Sequence, residues 1–400
     1  MSPIYSKLNN SQTYNDNTNW RKNNYDTQYE TNDKFNKSFQ KFKKEDSYQH
    51  LILSSDSSSF FEKKMVEPTT IVEKTLINIK SNTTITSIQD LIQLTKDYPL
   101  LDSVCYNIDM KTLHNIVKPL NELNDMIGMQ EIKINIVDQI LFYIQGLHNV
   151  NSKISNDYLH TIICGPPGTG KTEVAKIIGK IFANMGILNN HSFKKVTRSD
   201  LVAGYLGQTA IKTREVIQEC LGGVLFIDEA YSLGSGSIEK KDSFSKECID
   251  TLCEALSEHK NDLMVIIAGY ENELEECLFT QNKGLKSRFS WKFKVNEYTS
   301  IELYQILLKK IKDSGWSIHV KEEEGLKWIH SKMNYLKYFG RDIEILFSKI
   351  KISHAKRIFC NPVERTILTM EDLEKGFELF TLIDKVKKEP VTQSLYNFYV

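Results

Sequence analysis

One short stretch limits what this chain can fold into more than any other feature. It fits the pattern GxxxxGK[ST] and reads Gly165-Pro166-Pro167-Gly168-Thr169-Gly170-Lys171-Thr172. An apolar run typical of a buried strand, Thr161–Cys164, precedes it, and helical periodicity follows over residues 172–182. Glycines let backbone N–H groups turn inward around a polyphosphate, and the positive end of the helix dipole points at the same place. The stretch therefore predicts a phosphate-binding loop between a strand and a helix, called the P-loop below.

The last two residues of the P-loop have separate predicted roles. Lys171 supplies a mobile positive charge for the β- and γ-phosphates of a nucleotide, and Thr172 offers its hydroxyl to Mg²⁺. The backbone amides of residues 165–170 surround the phosphates. We therefore expect ATP and Mg²⁺ as the ligands of this loop.

A pair of carboxylates follows a second apolar strand. The run Val224–Ile227 is wholly apolar and ends at Asp228 and Glu229. Ligands of parallel sheets bind beyond the carboxyl ends of the strands, so the P-loop and these carboxylates are expected on one edge. Asp228 is predicted to hold Mg²⁺ through the water shell of the metal, and Glu229 is placed to polarise an attacking water as a base. A glutamate at this position, instead of glutamine, predicts hydrolysis of the nucleotide.

The order of apolar and amphipathic runs predicts the fold class. From Leu123 onwards strands and helices alternate, and wholly apolar strands are typical of a sheet covered on both faces. After Tyr298 the pattern becomes mainly helical, beginning with a capping box at Thr299 and Glu302. We predict an α/β fold, with a parallel sheet and helices on both faces around the P-loop, followed by a small, mainly α-helical lid domain.

Composition separates an N-terminal extension from the folded part. Residues 1–40 hold nine asparagines and almost no Leu, Val or Ile, so this segment cannot bury enough apolar area to offset its ordering entropy. We predict that residues 1–68 are disordered, either as a tail for a partner or as a polar extension without a role. The predicted divisions are the extension at 1–68, an adapter segment at 69–120, a large ATPase domain at 121–297, the lid at 298–385 and a tail at 386–400.

Charge and cysteine usage exclude several classes of protein. Lys+Arg and Asp+Glu are both 51, so the formal net charge is zero and gives no whole-chain case for a polyanion binder. No apolar run approaches the ~18 residues of a membrane span, and the first residues do not resemble a secretory signal. The seven cysteines form no CxxC pair, which is typical of reduced thiols. These features predict a soluble intracellular protein without a membrane partner.

Four segments give the chain a recognisable likeness. At Thr197–Ala210, Gly222–Leu233, Val265–Tyr270 and Gly284–Phe289, together with the P-loop, the chain resembles AAA+ ATPases. More narrowly it is similar to the CbbX/CfxQ family, which includes red-type Rubisco activases and bacterial sporulation-related homologues. The likeness extends over about residues 121–385 and does not reach the first 120 residues.

The resemblance implies an assembly and further site residues. Family members form hexameric homo-oligomeric rings with ATP between neighbouring subunits. Arg288 matches the arginine finger that reaches into the neighbour's site, where a planar guanidinium can hold the γ-phosphate as charge develops. Arg341, in the segment Phe339-Gly340-Arg341-Asp342, matches the second sensor, which contacts the γ-phosphate in its own subunit. Ile127 and Gly128 match the segment that lines the adenine pocket.

The resemblance also implies a substrate-gripping loop and shows departures. Tyr205-Leu206-Gly207 matches the central pore loop, in which an aromatic ring supplies apolar area and glycine allows movement. The first sensor of these proteins is often Asn or Thr, whereas Tyr270 or its neighbours occupy that region, so we assign no residue to it. Lys283 and Gln208 also depart from the family pattern, and the Asn-rich start has no counterpart in a Rubisco activase. The activase substrate is therefore not carried over.

Together these features predict an ATP-dependent remodeller that pulls a protein substrate of unknown identity through a ring. Two alternatives remain at this stage. A nucleic-acid motor or loader would need a basic track, for which Lys194-Lys195-x-x-Arg198 is suggestive although the zero net charge weighs against it. A nucleotide-gated scaffold with little turnover is the other, suggested by the unusual sensor region and the long extension.

Overall fold

The computed structural model describes residues 75–79, 84–149, 158–205, 207–234, 242–360 and 365–388. The predicted extension at 1–68 and residues 389–400 of the predicted tail lie outside these ranges. All the described residues belong to one unit that spans residues 72–400.

A small parallel pair of strands precedes the main sheet. The elements of this part, in chain order, are β1 (Thr75–Ile77), α1 (Ile88–Asp97), β2 (Val104–Tyr106), α2 (Met110–Asn115) and α3 (Val117–Asn124). Helix α1 begins with a capping box, since the Asp90 N–H donates to Ser87 Oγ and the Ser87 N–H donates to the Asp90 carboxylate. The boundary predicted between residues 120 and 121 falls inside α3, whose Leu120 and Leu123 are fully buried.

Helices and strands alternate through the central part of the chain. They are α4 (Gln130–Ile144), β3 (Thr161–Cys164), α5 (Lys171–Asn184), β4 (Phe193–Val196), α6 (Arg198–Leu201), α7 (Thr209–Glu219), β5 (Val224–Ile227), α8 (Ser243–Glu258), β6 (Met264–Gly269), α9 (Glu271–Glu273), α10 (Lys283–Lys286) and β7 (Trp291–Lys294). Short 3₁₀ turns lie at Leu147–Asn149 and Ala230–Leu233, and a π-helical segment spans Leu274–Phe279.

Within the described residues these strands form one five-stranded sheet, in the order β4-β5-β6-β3-β7, and every pairing is parallel. Alternate residues of β5 enter different cores: Val224 and Phe226 belong to one apolar cluster, and Leu225 and Ile227 belong to the other. This period-two division requires apolar packing on both faces of the sheet. The predicted α/β class, with helices on both sides, is confirmed.

The C-terminal part is mainly helical, as predicted. Its elements are α11 (Ser300–Asp313), β8 (Ser317–Ile318), α12 (Glu322–Lys332), α13 (Phe339–Ile358), β9 (Ile367–Leu368) and α14 (Met370–Lys388). The predicted capping box opens α11, with the Glu302 N–H donating to Thr299 Oγ1 and the Thr299 N–H donating to the Glu302 carboxylate. Helix α14 continues three residues past the predicted lid boundary at 385. Residues 298–388 are called the lid below.

Helices α13 and α14 pack closely in the lid because glycine stands at their contact. A Cβ at Gly376 would lie 2.6 Å from Ile350 Cα, so no larger residue fits there without separating the helices. None of the helices in the described ranges is long and apolar enough to cross a bilayer.

Candidate functional site

The P-loop turns sharply between β3 and α5, and its glycines make this turn possible. Gly168 and Gly170 have φ values of +74° and +83°, a left-handed conformation that costs side-chain-bearing residues energy. A Cβ at Gly168 would lie only 1.9 Å from the carbonyl oxygen of Tyr338 in the lid. The glycine therefore serves two needs, the turn itself and the close approach of the lid.

Lys171 is folded back onto the loop that precedes it. Its Nζ donates to the carbonyl oxygens of Gly165 at 2.8 Å and Pro166 at 2.7 Å. Burial lowers the pKa of Lys171, and the nearby Asp228 carboxylate opposes that shift. The ammonium group is thus held beside the loop by weak neutral acceptors, which phosphate oxygens of a bound nucleotide can replace with stronger, charged ones.

The two carboxylates lie at the end of β5, as the sequence predicted. Asp228 Oδ1 accepts the N–H of Glu229 at 3.1 Å, and Asp228 Oδ2 lies 2.6 Å from Nζ of Lys195. Glu229 has a φ of +50°, in the left-handed region. Such a conformation in a non-glycine residue costs roughly 1–2 kcal/mol and here leaves the side chain exposed.

The predicted phosphate and carboxylate residues line one cavity. This phosphate cavity has a volume of about 160 Å³. Its lining includes Pro167, Gly168, Gly170, Lys171, Thr172, Asp228, Glu229, Tyr270 and Arg341. Residues that lie far apart in the chain are therefore brought together at the carboxyl edge of the sheet, as the position of ligand sites in parallel sheets requires.

The lid reaches the phosphate cavity through the start of α13. The Gly340 N–H donates to the carbonyl oxygen of Gly168 at 3.0 Å, and the neighbouring Arg341 lines the cavity. Phe339, the first residue of the helix, has a φ of +47°, so the chain turns abruptly just before Arg341. Arg341 therefore lies on the lid and lines the same cavity as the P-loop and the two carboxylates.

A second, larger cavity adjoins the first and has an apolar wall. We call it the base cavity, after the planar nucleotide base that its walls suit. It measures about 600 Å³, and its lining, together with P-loop and lid residues, includes Met126, Ile127, Ile177, Tyr298 and Ile306. The Tyr298 hydroxyl donates to the carbonyl oxygen of Thr169 at 3.1 Å, which ties this wall to the P-loop. Apolar and aromatic walls suit a planar base.

Gly128, the other residue predicted for the adenine pocket, packs beside the base cavity instead of lining it. Its φ is +70°, and a Cβ there would lie 2.6 Å from Glu302 Oε1, in the first turn of α11. The glycine therefore allows residues 126–129 to approach the lid closely.

Two predicted residues lie apart from both cavities. Arg288 donates from Nε to Ser257 Oγ at 2.6 Å and from Nη1 to the carbonyl of Gly284, so it is held against α8 and α10. Tyr205 is 75% exposed, and no described residue other than the chain neighbours comes within 4 Å of a Cβ placed at Gly204 or Gly207. Leu206 lies outside the described residues. Neither Arg288 nor Tyr205 is therefore among the described residues that line these two cavities.

Sequence reasoning gave no role to two residues that contact this site. Tyr270 lines the phosphate cavity, and Lys171 Nζ lies 5.9 Å from the centre of its ring. Its position directly after β6 was the available signal, since β6 lies between β3 and β5 and all three end at the same edge. Lys195 was noted only as part of a basic cluster, and its contact with Asp228 depends on a strand pairing that one sequence does not reveal.

The three cations of that cluster are each paired with a carboxylate. Lys194 pairs with Glu219, Lys195 with Asp228, and Arg198 with Asp242. Their charges are therefore already neutralised within the chain, which weakens the case for a basic track along this segment.

The oxygen donors of the phosphate cavity fit Mg²⁺. Among the described residues, no group of three or more His, Cys, Asp or Glu side chains could hold a metal ion alone. Thr172 and Asp228 supply a hydroxyl and a carboxylate beside the P-loop. Mg²⁺ in nucleotide sites is held in this way, by one or two protein oxygens together with water and substrate phosphates.

Comparison with known proteins agrees with this geometry. The family model described as "ATPase family associated with various cellular activities (AAA)" matches residues 161–294. A cfxQ-like protein of Acanthamoeba polyphaga mimivirus is 36% identical over 283 residues, covering 70% of this chain and 68% of the relative. The CfxQ homolog of Galdieria sulphuraria is 34% identical over 67% of this chain and 90% of its own length. Stage V sporulation protein K of Bacillus subtilis is 36% identical over 64% and 75% of the two chains.

Proposed function

Since the chain belongs to the CfxQ family of AAA ATPases, we propose that it hydrolyses ATP at the subunit interfaces of a homo-oligomeric ring and uses the energy to pull on a protein substrate. One cavity carries this proposal, because it joins the P-loop, both carboxylates and the lid arginine Arg341. Those are the groups that phosphoryl transfer to water requires: a phosphate cradle, a metal-side carboxylate, a base and a cation for the developing charge.

Each residue has a specific task in the proposed reaction. Lys171 leaves its loop carbonyls and binds the β- and γ-phosphates, while Thr172 and Asp228 hold Mg²⁺, which neutralises phosphate charge when bound. Glu229 accepts a proton from the attacking water, and this role is supported by its exposed position in the lining of the cavity that the P-loop also lines. Arg341 binds the γ-phosphate from the lid, so loss of that phosphate removes one of the contacts that hold the lid closed.

The residues that lie outside the cavities suit roles between subunits and toward a substrate. Arg288 is held on α8 and α10 away from its own nucleotide site, which supports a role as the finger that completes a neighbour's site. Tyr205 is largely exposed beside two glycines with open space around them, which supports a mobile gripping loop. A hexamer is the proposed assembly, and the substrate is a polypeptide whose identity the chain's motifs do not specify.

Replacing the proposed base tests this function. Glu229→Gln keeps the shape of the side chain but removes the proton acceptor, so ATP turnover should fall by about 100-fold or more while ATP binding is retained. Turnover is measured by phosphate release and binding by equilibrium dialysis. Glu254→Gln, at an exposed position on α8, is the matched control and should hydrolyse ATP at the parent rate. Parent-like turnover by Glu229→Gln would refute the assigned role.

The same variant identifies the substrate class. Rings trapped with ATP should retain a bound polypeptide long enough for crosslinking and mass spectrometry. To test which polymer the ring binds, binding to single-stranded DNA, to single-stranded RNA and to an unfolded protein is measured over a range of salt concentrations. Steeply salt-dependent binding of nucleic acid, without binding of the unfolded protein, would contradict a protein substrate.

A further inference from the structure

A lysine, Lys195, forms an ion pair with Asp228, the carboxylate that holds Mg²⁺ in the proposed function. Lys195 Nζ lies 2.6 Å from Asp228 Oδ2, and the other carboxylate oxygen accepts the N–H of Glu229. Both oxygens of Asp228 therefore have partners within the chain. The side chains are 47% and 23% exposed, so the pair lies at the cavity edge where water and ligands can reach it.

The sheet itself brings these two groups together. Strand β4 pairs with β5 in parallel, with Val196 opposite Ile227, and the Asp228 N–H donates to the carbonyl oxygen of Val196 at 3.0 Å. Lys195 directly precedes Val196, whose carbonyl oxygen accepts the Asp228 N–H, so the strand pairing holds Lys195 close to Asp228. Its side chain lines an open cavity of about 680 Å³, along with Asp228, Glu229 and Arg341.

We propose that Lys195 is a resident counter-cation for Asp228, which Mg²⁺ displaces when it arrives with the nucleotide. This inference rests on the proposed function, because the role of Asp228 toward the metal is taken from there. In the ligand-free chain the ammonium group neutralises a carboxylate that would otherwise face the incoming phosphates. With Mg²⁺ held at Asp228, the carboxylate would no longer need the lysine as its counter-charge, and the Lys195 ammonium group would turn away from Asp228 within the open cavity that both residues line.

The consequence is a changed dependence of nucleotide binding on the metal. In the parent chain Lys195 keeps Asp228 neutralised even without Mg²⁺, so metal-free nucleotide binds with a limited penalty. Without this lysine, the bare carboxylate repels metal-free phosphates, while Mg²⁺-bound nucleotide no longer has to displace a cation. The ratio of the Kd in EDTA to the Kd in Mg²⁺ should therefore rise, by about fivefold for a partly exposed ion pair.

The neighbouring lysine provides a matched control. Lys194 is the adjacent residue of β4 and forms an ion pair with Glu219, at the end of α7. Because successive residues of a strand point to opposite sides, its charge lies away from Asp228. Lys194→Met removes the same charge from the same strand without altering the pair at the cavity.

The experiment is calorimetric titration of ADP into the full chain, once with MgCl₂ and once with EDTA. We expect the ratio of the Kd in EDTA to the Kd in Mg²⁺ to rise about fivefold in Lys195→Met. The ratio should stay at the parent value in Lys194→Met and in Lys195→Arg. In a chain that already carries Asp228→Asn, adding Lys195→Met should not change the ratio. An equal ratio in Lys195→Met and the parent, with ADP bound normally, overturns this inference alone. A parent chain that binds no ADP under either condition overturns the nucleotide site as well.

A second measurement needs no substitution. Acetic anhydride labelling of the parent chain, followed by peptide mass spectrometry, reports whether each lysine is paired. Labelling of Lys195 relative to Lys194 should increase when Mg²⁺ and ADP are added together and should not increase with ADP in EDTA. An unchanged Lys195 signal under all conditions contradicts displacement by the metal.

Discussion

Backbone strain in this molecule is concentrated at the candidate nucleotide site. In the described part of the chain, the non-glycine residues with positive φ are Met129, Glu229 and Phe339. Glu229 lines the phosphate cavity, and Phe339 directly precedes the lid segment that contacts the P-loop. The terminal methyl group of Met129 lies 3.1 Å from where a Cβ would stand at Gly170 in the P-loop. Strained residues persist where surrounding structure enforces them, and their position here supports a functional site independently of the motifs.

Gly168→Ala should weaken nucleotide binding by at least about tenfold. The added Cβ would meet the Tyr338 carbonyl at 1.9 Å, so the lid has to move off the P-loop. Gly186→Ala is the matched control, because Gly186 has nearly the same φ, +75°, but apart from its chain neighbours no described residue lies within 4 Å of a Cβ placed there. Both variants should lose about 1 kcal/mol of stability from backbone strain, and Gly168→Ala should lose more because its Cβ displaces the lid. Only Gly168→Ala should lose affinity. Equal affinities of the two variants, measured by titration, would show that the lid contact is unimportant.

His160 should make the stability of the fold depend on pH. The residue is fully buried, and burial lowers its pKa to about 4. Its Nε2 donates to the Leu256 carbonyl at 3.0 Å, and its Nδ1 accepts the Val265 N–H at 3.2 Å. The unfolded state, with a pKa of 6.5, binds the proton first, so this contribution is complete above pH 6.5 and is lost as the pH falls toward 4.

Between pH 7 and pH 5 this residue alone should remove about 2 kcal/mol from the free energy of unfolding. His160→Gln keeps a donor and an acceptor but does not titrate, so its stability should fall less over the same interval. Urea denaturation at the two pH values measures the difference. Parallel losses in the parent and the variant would mean that His160 is not the titrating group.

At the scale of elements, the sequence predicted those strands whose apolar residues are continuous. Thr161–Cys164 and Val224–Ile227 were predicted with the observed bounds, because each is buried on both faces and flanked by polar or glycine residues. β1 and β2 were missed, since each has three residues, mostly exposed or half-buried, and they pair across the intervening α1. Helix α8 begins at Ser243 because Asp242 caps it, accepting the Phe244 N–H.

The candidate site was also predictable only in part. Motifs identified residues that chemistry restricts to one type, such as Lys171 and Glu229, and the structure places them in one cavity. Contacts that depend on strand pairing were not accessible from one sequence. Lys195 is an example, because its pairing with Asp228 follows from the register of β4 against β5.

Arg198 connects three elements near the carboxylates, and its loss should destabilise all of them. Its guanidinium donates to the carbonyls of Ser232 and Leu233 and to Ser245 Oγ, and it pairs with Asp242. It thus joins α6, the turn after Glu229 and the start of α8. Arg198→Ala should cost about 2–3 kcal/mol, because two carbonyls, a hydroxyl and a half-buried carboxylate lose a charged partner.

Arg214→Ala is the control for that prediction. Arg214 pairs with Glu254 at 3.2 Å, and both side chains are mostly exposed, so this change should cost no more than ~0.5 kcal/mol. Chemical denaturation of the two variants gives the comparison. Similar losses would mean that the Arg198 contacts contribute little to holding these elements together.

At the scale of the whole molecule, one chain does not bring together all the residues that the proposed hydrolysis requires. Lys171, Asp228, Glu229 and Arg341 share a cavity, but Arg288 is held by α8 and α10 and does not line it. A cyclic assembly with head-to-tail interfaces would repeat the same contact between each subunit and the next, so each ring site could take its missing arginine from a neighbour. This arrangement would make hydrolysis dependent on assembly.

Mixing two inactive variants tests whether Arg288 acts on a neighbouring subunit. Arg288→Ala and Glu229→Gln should each lower ATP turnover by about 100-fold or more in uniform rings, because each site then lacks either its arginine or its base. In mixed rings, some interfaces combine an intact Glu229 from one subunit with an intact Arg288 from the next. Random mixing in equal amounts creates such interfaces at roughly one position in four, so turnover should recover to about a quarter of the parent value. The measurement is phosphate release after the two variants are unfolded together and reassembled, compared with each variant treated alone. If Arg288 served its own subunit, every site in the mixture would still lack one group, and turnover would stay at the average of the separate variants.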